Sequence, residues 1–266
     1  MRQILSLTRP FVLIHTAIIS LMYCIIAKYD PTTTILIILS MIAIHASAQS
    51  TNLIHDIDID KINKPWRPLV SGKIDKYKAI MFDLAWITLA FMTAYLVNIK
   101  YFLWMIILAF FAWSFSLLPV RKNQFIHVFW MGMTRGFIPA YMITNNLPIA
   151  LLMFMWNFAF NPSKDYKDID GDLKFGIKTI ANQYGKEGLK IWMMIWGSTF
   201  YIMLLLFVSI KVLPEKTLMI LYTLPLLFII PETNEKKPIF SDNNLAYDLY
   251  WIGFTINSIL LALSFF

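Results

Sequence analysis

Between Asn52 and Pro68 the chain reads N-L-I-H-D-I-D-I-D-K-I-N-K-P-W-R-P, so an apolar run ends in three aspartates, two lysines and an arginine. A second window, K-D-Y-K-D-I-D-G-D from Lys164 to Asp172, adds four more aspartates. Asn52, Asp56 and Asp60 are spaced i, i+4, i+8, and Asp165, Asp168 and Asp172 are spaced i, i+3, i+7. On helices each trio forms one face, with Asp58 and Asp170 pointing elsewhere. Like charges at that spacing repel unless something positive lies between them. Such oxygen-rich sets suit hard divalent cations, and Mg2+ takes one or two carboxylates while water and phosphate complete its shell. Two opposed faces would therefore hold Mg2+ ions that bridge to a diphosphate. Lys64 and Arg67 follow the first trio closely, and Arg121, Lys122, Lys164 and Lys178 flank the same openings. Guanidinium groups grip phosphate oxygens in a planar fork and lysine acts as a point charge.

The elements that must position these residues are apolar. Of 266 residues, 58% are hydrophobic and only 15% are charged, against about a quarter charged in an ordinary soluble domain. The expected fold class is all-α, a polytopic membrane protein with nine transmembrane helices bundled around a central chamber. The spans fall at about 10–28, 34–55, 76–97, 100–119, 124–144, 146–163, 188–211, 214–231 and 245–265. At ~1.5 Å per residue most of these runs cross a hydrocarbon core of ~30 Å. Breaks are expected at Asp30-Pro31, Asn98 to Lys100, Asn145-Asn146, Pro214 and the polar tract Glu232 to Asn244. The bundle reads as one domain, 1–266, with the charged loops 56–78 and 164–190 capping its active site. Arg2 and Arg9 precede the first apolar run, but no small-x-small cleavage pattern accompanies Tyr23 and Cys24, so a retained first helix is expected. The lone cysteine, Cys24, excludes an internal disulfide.

A net charge of +7 reports topology in such a chain rather than nucleic-acid binding. On one face of the nine-span map lie eighteen Lys and Arg residues; the other carries only Lys28, Lys100, Lys211 and Lys216, with Arg135 left inside a helix. The positive-inside rule places the first face, with the N-terminus and both acidic loops, in the cytoplasm, and the C-terminus on the opposite face.

The phrase N-x-x-x-D-x-x-x-D followed by N-K-P-W-R-P-L-V-S-G, and later K-D-Y-K-D-I-D-G-D-L-K-F-G-I-K-T, resembles the UbiA superfamily of intramembrane prenyltransferases. The resemblance covers the whole topology: nine transmembrane helices with aspartate-rich motifs after helices 2 and 6. It implies Mg2+-dependent transfer of a prenyl group from a prenyl diphosphate to a small acceptor. Asn52, Asp56 and Asp60 match the first metal-binding motif, and Asp165, Asp168 and Asp172 the second. Lys64 and Arg67 look like diphosphate contacts. Members often carry a tyrosine-serine pair and a downstream lysine after helix 4; here the run is Trp113-Ser114-Phe115-Ser116 and then Arg121-Lys122. A tyrosine role is absent or displaced, and the phosphate role falls to Lys122 or to Arg121.

Ionising an allylic diphosphate requires cations on the leaving group and a dry chamber for the carbocation. Phe102, Trp104, Phe110, Phe111, Trp113, Phe154, Trp156 and Phe158 are candidate walls, with ordinary packing as the alternative. Arg135 and Asp83, charged within spans, are functional candidates, with a structural pair or a water-facing position as the alternative. His15 and His45 either touch an acceptor headgroup or join packed helices. The wording of the motifs resembles the homogentisate and archaeal glyceryl-lipid branches, so an aromatic acceptor is the first expectation and a glycerol-phosphate ether lipid the second. An isoprenoid cyclase on the same scaffold, a divalent-cation transporter and a non-catalytic scaffold are the rivals; a transporter would carry its sites near the midplane.

Overall fold

The structure is a computed structural model that describes residues 5–266; Arg2, counted above among the charges of the N-terminal face, lies outside the described residues. Every regular element among them is helical. Six helices are long and apolar enough to cross a membrane: α1 (Pro10–Ala27), α2 (Pro31–His55), α4 (Lys76–Val97), α5 (Ile99–Leu117), α10 (Ile180–Ser209) and α12 (Leu245–Leu263). A short α3 (Ile57–Asn63) follows α2, and a short α9 (Ile169–Lys174) precedes α10. The remaining expected spans are built from shorter pieces. Residues 124–144 form α6 (Gln124–Gly132), a π-helical turn (Met133–Phe137) and α7 (Ile138–Thr144); residues 146–163 form the 14-residue α8 (Leu147–Phe160) and a 3-10 turn. Residues 214–231 form a 3-10 segment (Glu215–Thr223) and α11 (Leu226–Glu232), which carries Pro231. These interruptions keep each uninterrupted helix shorter than the ~20 residues that cross a bilayer.

Polar residues set the helix starts where the sequence breaks. Asp30 accepts hydrogen bonds from the Thr32 and Thr33 amides ahead of α2, with Pro31 in the first turn. Asp75, Asn98, Asn123, Asn146 and Asn244 do the same for α4, α5, α6, α8 and α12. Thr179 and Asn182 form a reciprocal capping box at the start of α10. Asn145 ends α7 in the left-handed conformation, with φ 50°.

The elements close into a ring. The helix α2 packs on α4 and α1; α1 meets α12, which meets α11 and the 3-10 segment; these meet α10, then α8, then α6 and α7, and α5 returns to α4. Tight approaches rely on small residues, as helix contacts in lipid do. A Cβ added at Gly136 would lie 2.3 Å from the backbone oxygen of Met153 in α8. Most of the expected aromatic walls serve this packing. Trp156 is fully buried against Phe160 and Phe200, Phe154 stacks on Phe158, and Phe158 meets Trp192 and Trp196.

Gly136→Ala should cost about 1–3 kcal/mol, because backbone on the facing helix cannot yield as a side chain does. A lower thermal midpoint in detergent, with secondary structure retained, is the expected readout.

Candidate active site

Both aspartate windows end at one cavity of about 930 Å³, its open mouth included. The helical spacing of the first window survives the break between α2 and α3. The Asp56 amide donates to the Asn52 carbonyl (2.9 Å), Asp60 to Asp56 (2.7 Å) and Lys64 to Asp60 (2.8 Å), so all four side chains fall on one face and line the cavity. In the second window Asp168 donates to Asp165 (3.1 Å) and Asp172 to Asp168 (2.9 Å), and these three line the opposite side. Asp58 is exposed and pairs with Lys61, and Asp170 is exposed and outside the lining.

One latch holds the windows together. Asn63 donates from Nδ2 to the Asp168 carbonyl (3.0 Å), and its Oδ1 accepts from the Gly171 amide (2.8 Å). A Cβ at Gly171 would lie 2.5 Å from that oxygen, so only glycine permits the contact.

Each aspartate but one has a cationic partner. Asp56 takes a two-pronged contact from Arg121 at 2.7 and 2.9 Å. Asp60 takes both oxygens' worth of Arg67 Nη1 at 2.7 and 2.6 Å. Lys64 contacts Asp168 at 2.6 Å, and Lys164 contacts Asp165 at 2.7 Å. Asn52 donates to Asp56 at 2.7 Å. Arg121 lines the cavity, whereas Lys122 is exposed and outside the lining, as is Lys178.

Asp172 is the exception: its buried carboxyl has no hydrogen-bond or ion-pair partner among the described residues. Burial, together with the nearby charges of Asp165 and Asp168, pushes its carboxyl up to about 8. Asp165 Oδ2 is also buried without a hydrogen bond, 3.5 Å from His127 Nε2. Among the described residues no three His, Cys, Asp or Glu side chains converge on one point. The four ion pairs hold the carboxylates apart. These crowded, under-satisfied carboxylates fit Mg2+, which needs only one or two of them when phosphate and water fill the rest of its shell.

Several lining residues carry no motif signal. Arg9 reaches the cavity from the turn before α1, and His127 from α6. Asp242, in the polar tract read only as a break, accepts from Arg67 at 2.7 Å. Burial works to raise its carboxyl, but Arg9 and Arg67 hold it well below the usual carboxylate range. Asp248 anchors that tract by accepting from the Ile239, Phe240 and Ser241 amides at 2.7 to 3.1 Å.

Arg135 and Asp83 do not form a pair: Thr51 donates to Asp83 at 2.7 Å, while Arg135 lines the cavity, donates to Asn161 (2.9 Å) and Tyr247 (3.2 Å) and faces the Trp251 ring. None of the eight aromatic candidates lines the cavity, whose single aromatic wall is Phe115. Of the two span histidines, His45 lines the cavity and bonds Thr16 at 2.9 Å, while His15 bonds Thr255 at 2.6 Å.

The model of the UbiA prenyltransferase family matches residues 13–234. A digeranylgeranylglyceryl phosphate synthase of Thermococcus kodakarensis is 28% identical over 195 residues, 70% of each chain. That of Thermococcus onnurineus is 30% identical over 196 residues, 70% of this chain and 71% of its own. The fold matches a UbiA homolog from Archaeoglobus fulgidus bound to DMAPP and Mg2+ with a TM-score of 0.78 at 21% identity, covering 99% of this chain and 97% of that one.

Without metal, Asp172 binds a proton in the folded state at pH values where it is ionised in the unfolded chain. Its contribution to stability therefore falls as pH rises from the ordinary value of 3.8 towards about 8. Asp172→Asn should flatten that decline in the thermal midpoint of metal-free protein, and added Mg2+ should stabilise the wild type at pH 8 more than the variant. Gly171→Ala should impair turnover while the bundle stays folded, read as activity against helical content.

Proposed function

This chain belongs to the UbiA prenyltransferase family, and from that premise we propose that it transfers an isoprenoid from a prenyl diphosphate to a glycerol-phosphate ether lipid. The observation that carries the reading is one cavity lined by Asn52, Asp56, Asp60, Asp165, Asp168 and Asp172 together with Lys64, Arg67 and Arg121. The six oxygen-bearing side chains would hold Mg2+, which supplies charge neutralisation of the leaving diphosphate.

The ion pairs give the basic residues a second role. With Mg2+ held by the aspartates, Lys64, Arg67 and Arg121 would be free to grip the diphosphate oxygens. Their charge is already in position, so little reorganisation accompanies bond breaking. The allylic C–O bond breaks, the diphosphate leaves among these cations, and the acceptor hydroxyl oxygen closes on the allylic carbon with loss of its proton. Arg67 keeps its hold on Asp242 while it does so, which preserves its orientation.

The acceptor choice rests on the names of the relatives, digeranylgeranylglyceryl phosphate synthases at 28% and 30% identity over 70% of this chain. It replaces the aromatic acceptor that the sequence placed first. In the membrane we place nine segments across the bilayer in one domain, the six long helices and the three interrupted ones. The charge asymmetry supports a cytoplasmic N-terminus and cavity mouth, with the C-terminus opposite.

Membranes containing the protein should release diphosphate from a prenyl diphosphate only with Mg2+ and a glycerol-phosphate lipid. Asp56→Ala and Asp168→Ala should each lower the rate at least ~10²-fold, the scale of losing one preorganised electrostatic contact. Full activity in both variants contradicts the site. Hydrocarbon formed without any acceptor identifies a cyclase, and metal flux into liposomes without prenyl substrate identifies a transporter.

A further inference from the structure

Two cations that line the cavity stand outside its ion pairs. The lining holds six Lys and Arg side chains and five aspartates, and Lys64, Arg67, Arg121 and Lys164 are each paired with one of them. Arg9 and Arg135 have no carboxylate within 4.0 Å among the described residues. Arg9 sits in the left-handed region, with φ 50°, and its Nε is buried without a hydrogen-bond partner. Its charge acts on Arg67, Asp242 and Asp60, so Arg9 belongs with the aspartate-lined side of the cavity.

Arg135 projects from the π-helical turn, an irregularity that recurs at functional sites. Its partners are the neutral oxygens of Asn161 and Tyr247 and the face of Trp251. Hydrogen bonds to neutral groups orient a guanidinium without cancelling its charge, and an uncancelled charge within a membrane bundle is costly. His45 lines the same cavity, with Nδ1 bonded to Thr16 and Nε2 buried without a partner. It lies eleven residues before Asp56 on α2, about 16 Å deeper along the helix at ~1.5 Å per residue.

We propose that Arg135 and His45 form a second anion site, distinct from the aspartate-lined diphosphate site, that takes the phosphomonoester of the acceptor. The inference rests on the ether-lipid reading above and deepens it. Arginine matches a phosphate in the planar two-pronged geometry of its fork, and among the described residues no carboxylate lies within 4.0 Å of Arg135. Holding the acceptor by its phosphate would fix its free hydroxyl relative to the allylic carbon, which is how positioning lowers a bimolecular barrier. Arg135 is in this sense a binding and positioning residue for the acceptor, with no part in diphosphate departure.

The test uses full-length protein in detergent, with glycerol 1-phosphate and inorganic pyrophosphate as separate probes. Glycerol 1-phosphate should raise the thermal midpoint of the wild type in EDTA, and its shift should add to that of pyrophosphate with Mg2+. Mutual exclusion of the two probes overturns the second site, and this arm needs no variant. Arg135→Gln should lose the glycerol 1-phosphate shift, keep the pyrophosphate shift, and raise the acceptor KM about tenfold or more with the prenyl diphosphate KM unchanged, the scale of one charge-assisted contact. Arg135→Lys should recover part of the loss. Wild-type transfer to a glycerol-phosphate lipid with an unchanged acceptor KM in Arg135→Gln overturns the site and leaves the proposed function standing. A shift by a hydroxybenzoate and none by glycerol 1-phosphate overturns the phosphomonoester assignment and the ether-lipid reading together.

Discussion

Five aspartates share one partly enclosed cavity, and their mutual repulsion is the constraint on which the rest of the structure depends. A buried carboxylate without a counter-charge loses its hydration and gains nothing in return. The protein answers four times with a basic residue: Arg121 from beyond α5, Lys64 and Arg67 from beyond α3, and Lys164 from beside Asp165 itself in the turn after α8. The fifth, Asp172, is left unanswered, and burial, with the repulsion of Asp165 and Asp168 added to it, raises its carboxyl. Concentrated oxygen ligands with one carboxylate left without a cation fit the Mg2+ site of the proposed function.

The helices are shaped by the need to bring these groups together. α2 carries its hydrogen-bond register past His55 into α3, so Asn52, Asp56, Asp60 and Lys64 remain on one face although the helix formally breaks. α8 stops at Phe160 and tightens into a 3-10 turn, which turns Asp165 back towards the cavity. The Asn63 latch to Asp168 and Gly171 then fixes the distance between two windows that lie more than a hundred residues apart in sequence. Asp248 holds the 239–241 backbone so that Asp242 meets Arg67, and a fourth part of the chain enters the same network.

Helical periodicity made the aspartate faces legible in the sequence, because a repeat of three and four residues has one geometric meaning on a helix. The breaks at Asp30, Asn98 and Asn145 were legible for the same reason, since capping is local. The choice between Arg121 and Lys122 was not. Adjacent residues point in different directions, and only the 3-10 turn after α5 decides that Arg121 faces inward. Asp242 was hidden because its meaning depends on Arg67, 175 positions away. The aromatic residues misled for a related reason: Trp and Phe satisfy helix packing and cavity lining equally well, and sequence spacing does not say which neighbour each will meet. The rarity of charge in a membrane marks Asp83 and Arg135 without naming their partners, which are the neutral Thr51 for the first and Asn161 and Tyr247 for the second.

The pairing of Asp and basic residues also bears on how such a site passes through its cycle. If substrate binding only stripped Arg121 from Asp56 or Lys64 from Asp168, each step would expose an uncompensated charge in a low-dielectric cavity. In the proposed function exchange would avoid this: Mg2+ held by the aspartates and a diphosphate held by Lys64, Arg67 and Arg121 would be mutual counter-charges, and these paired side chains would only change partners. Arg67 shows the arrangement most clearly. Buried between Asp60 and Asp242, it can release the first to a metal while the second continues to aim it. A single-partner arginine in that position would swing freely once its aspartate was taken, and the preorganisation that makes electrostatic catalysis effective would be lost.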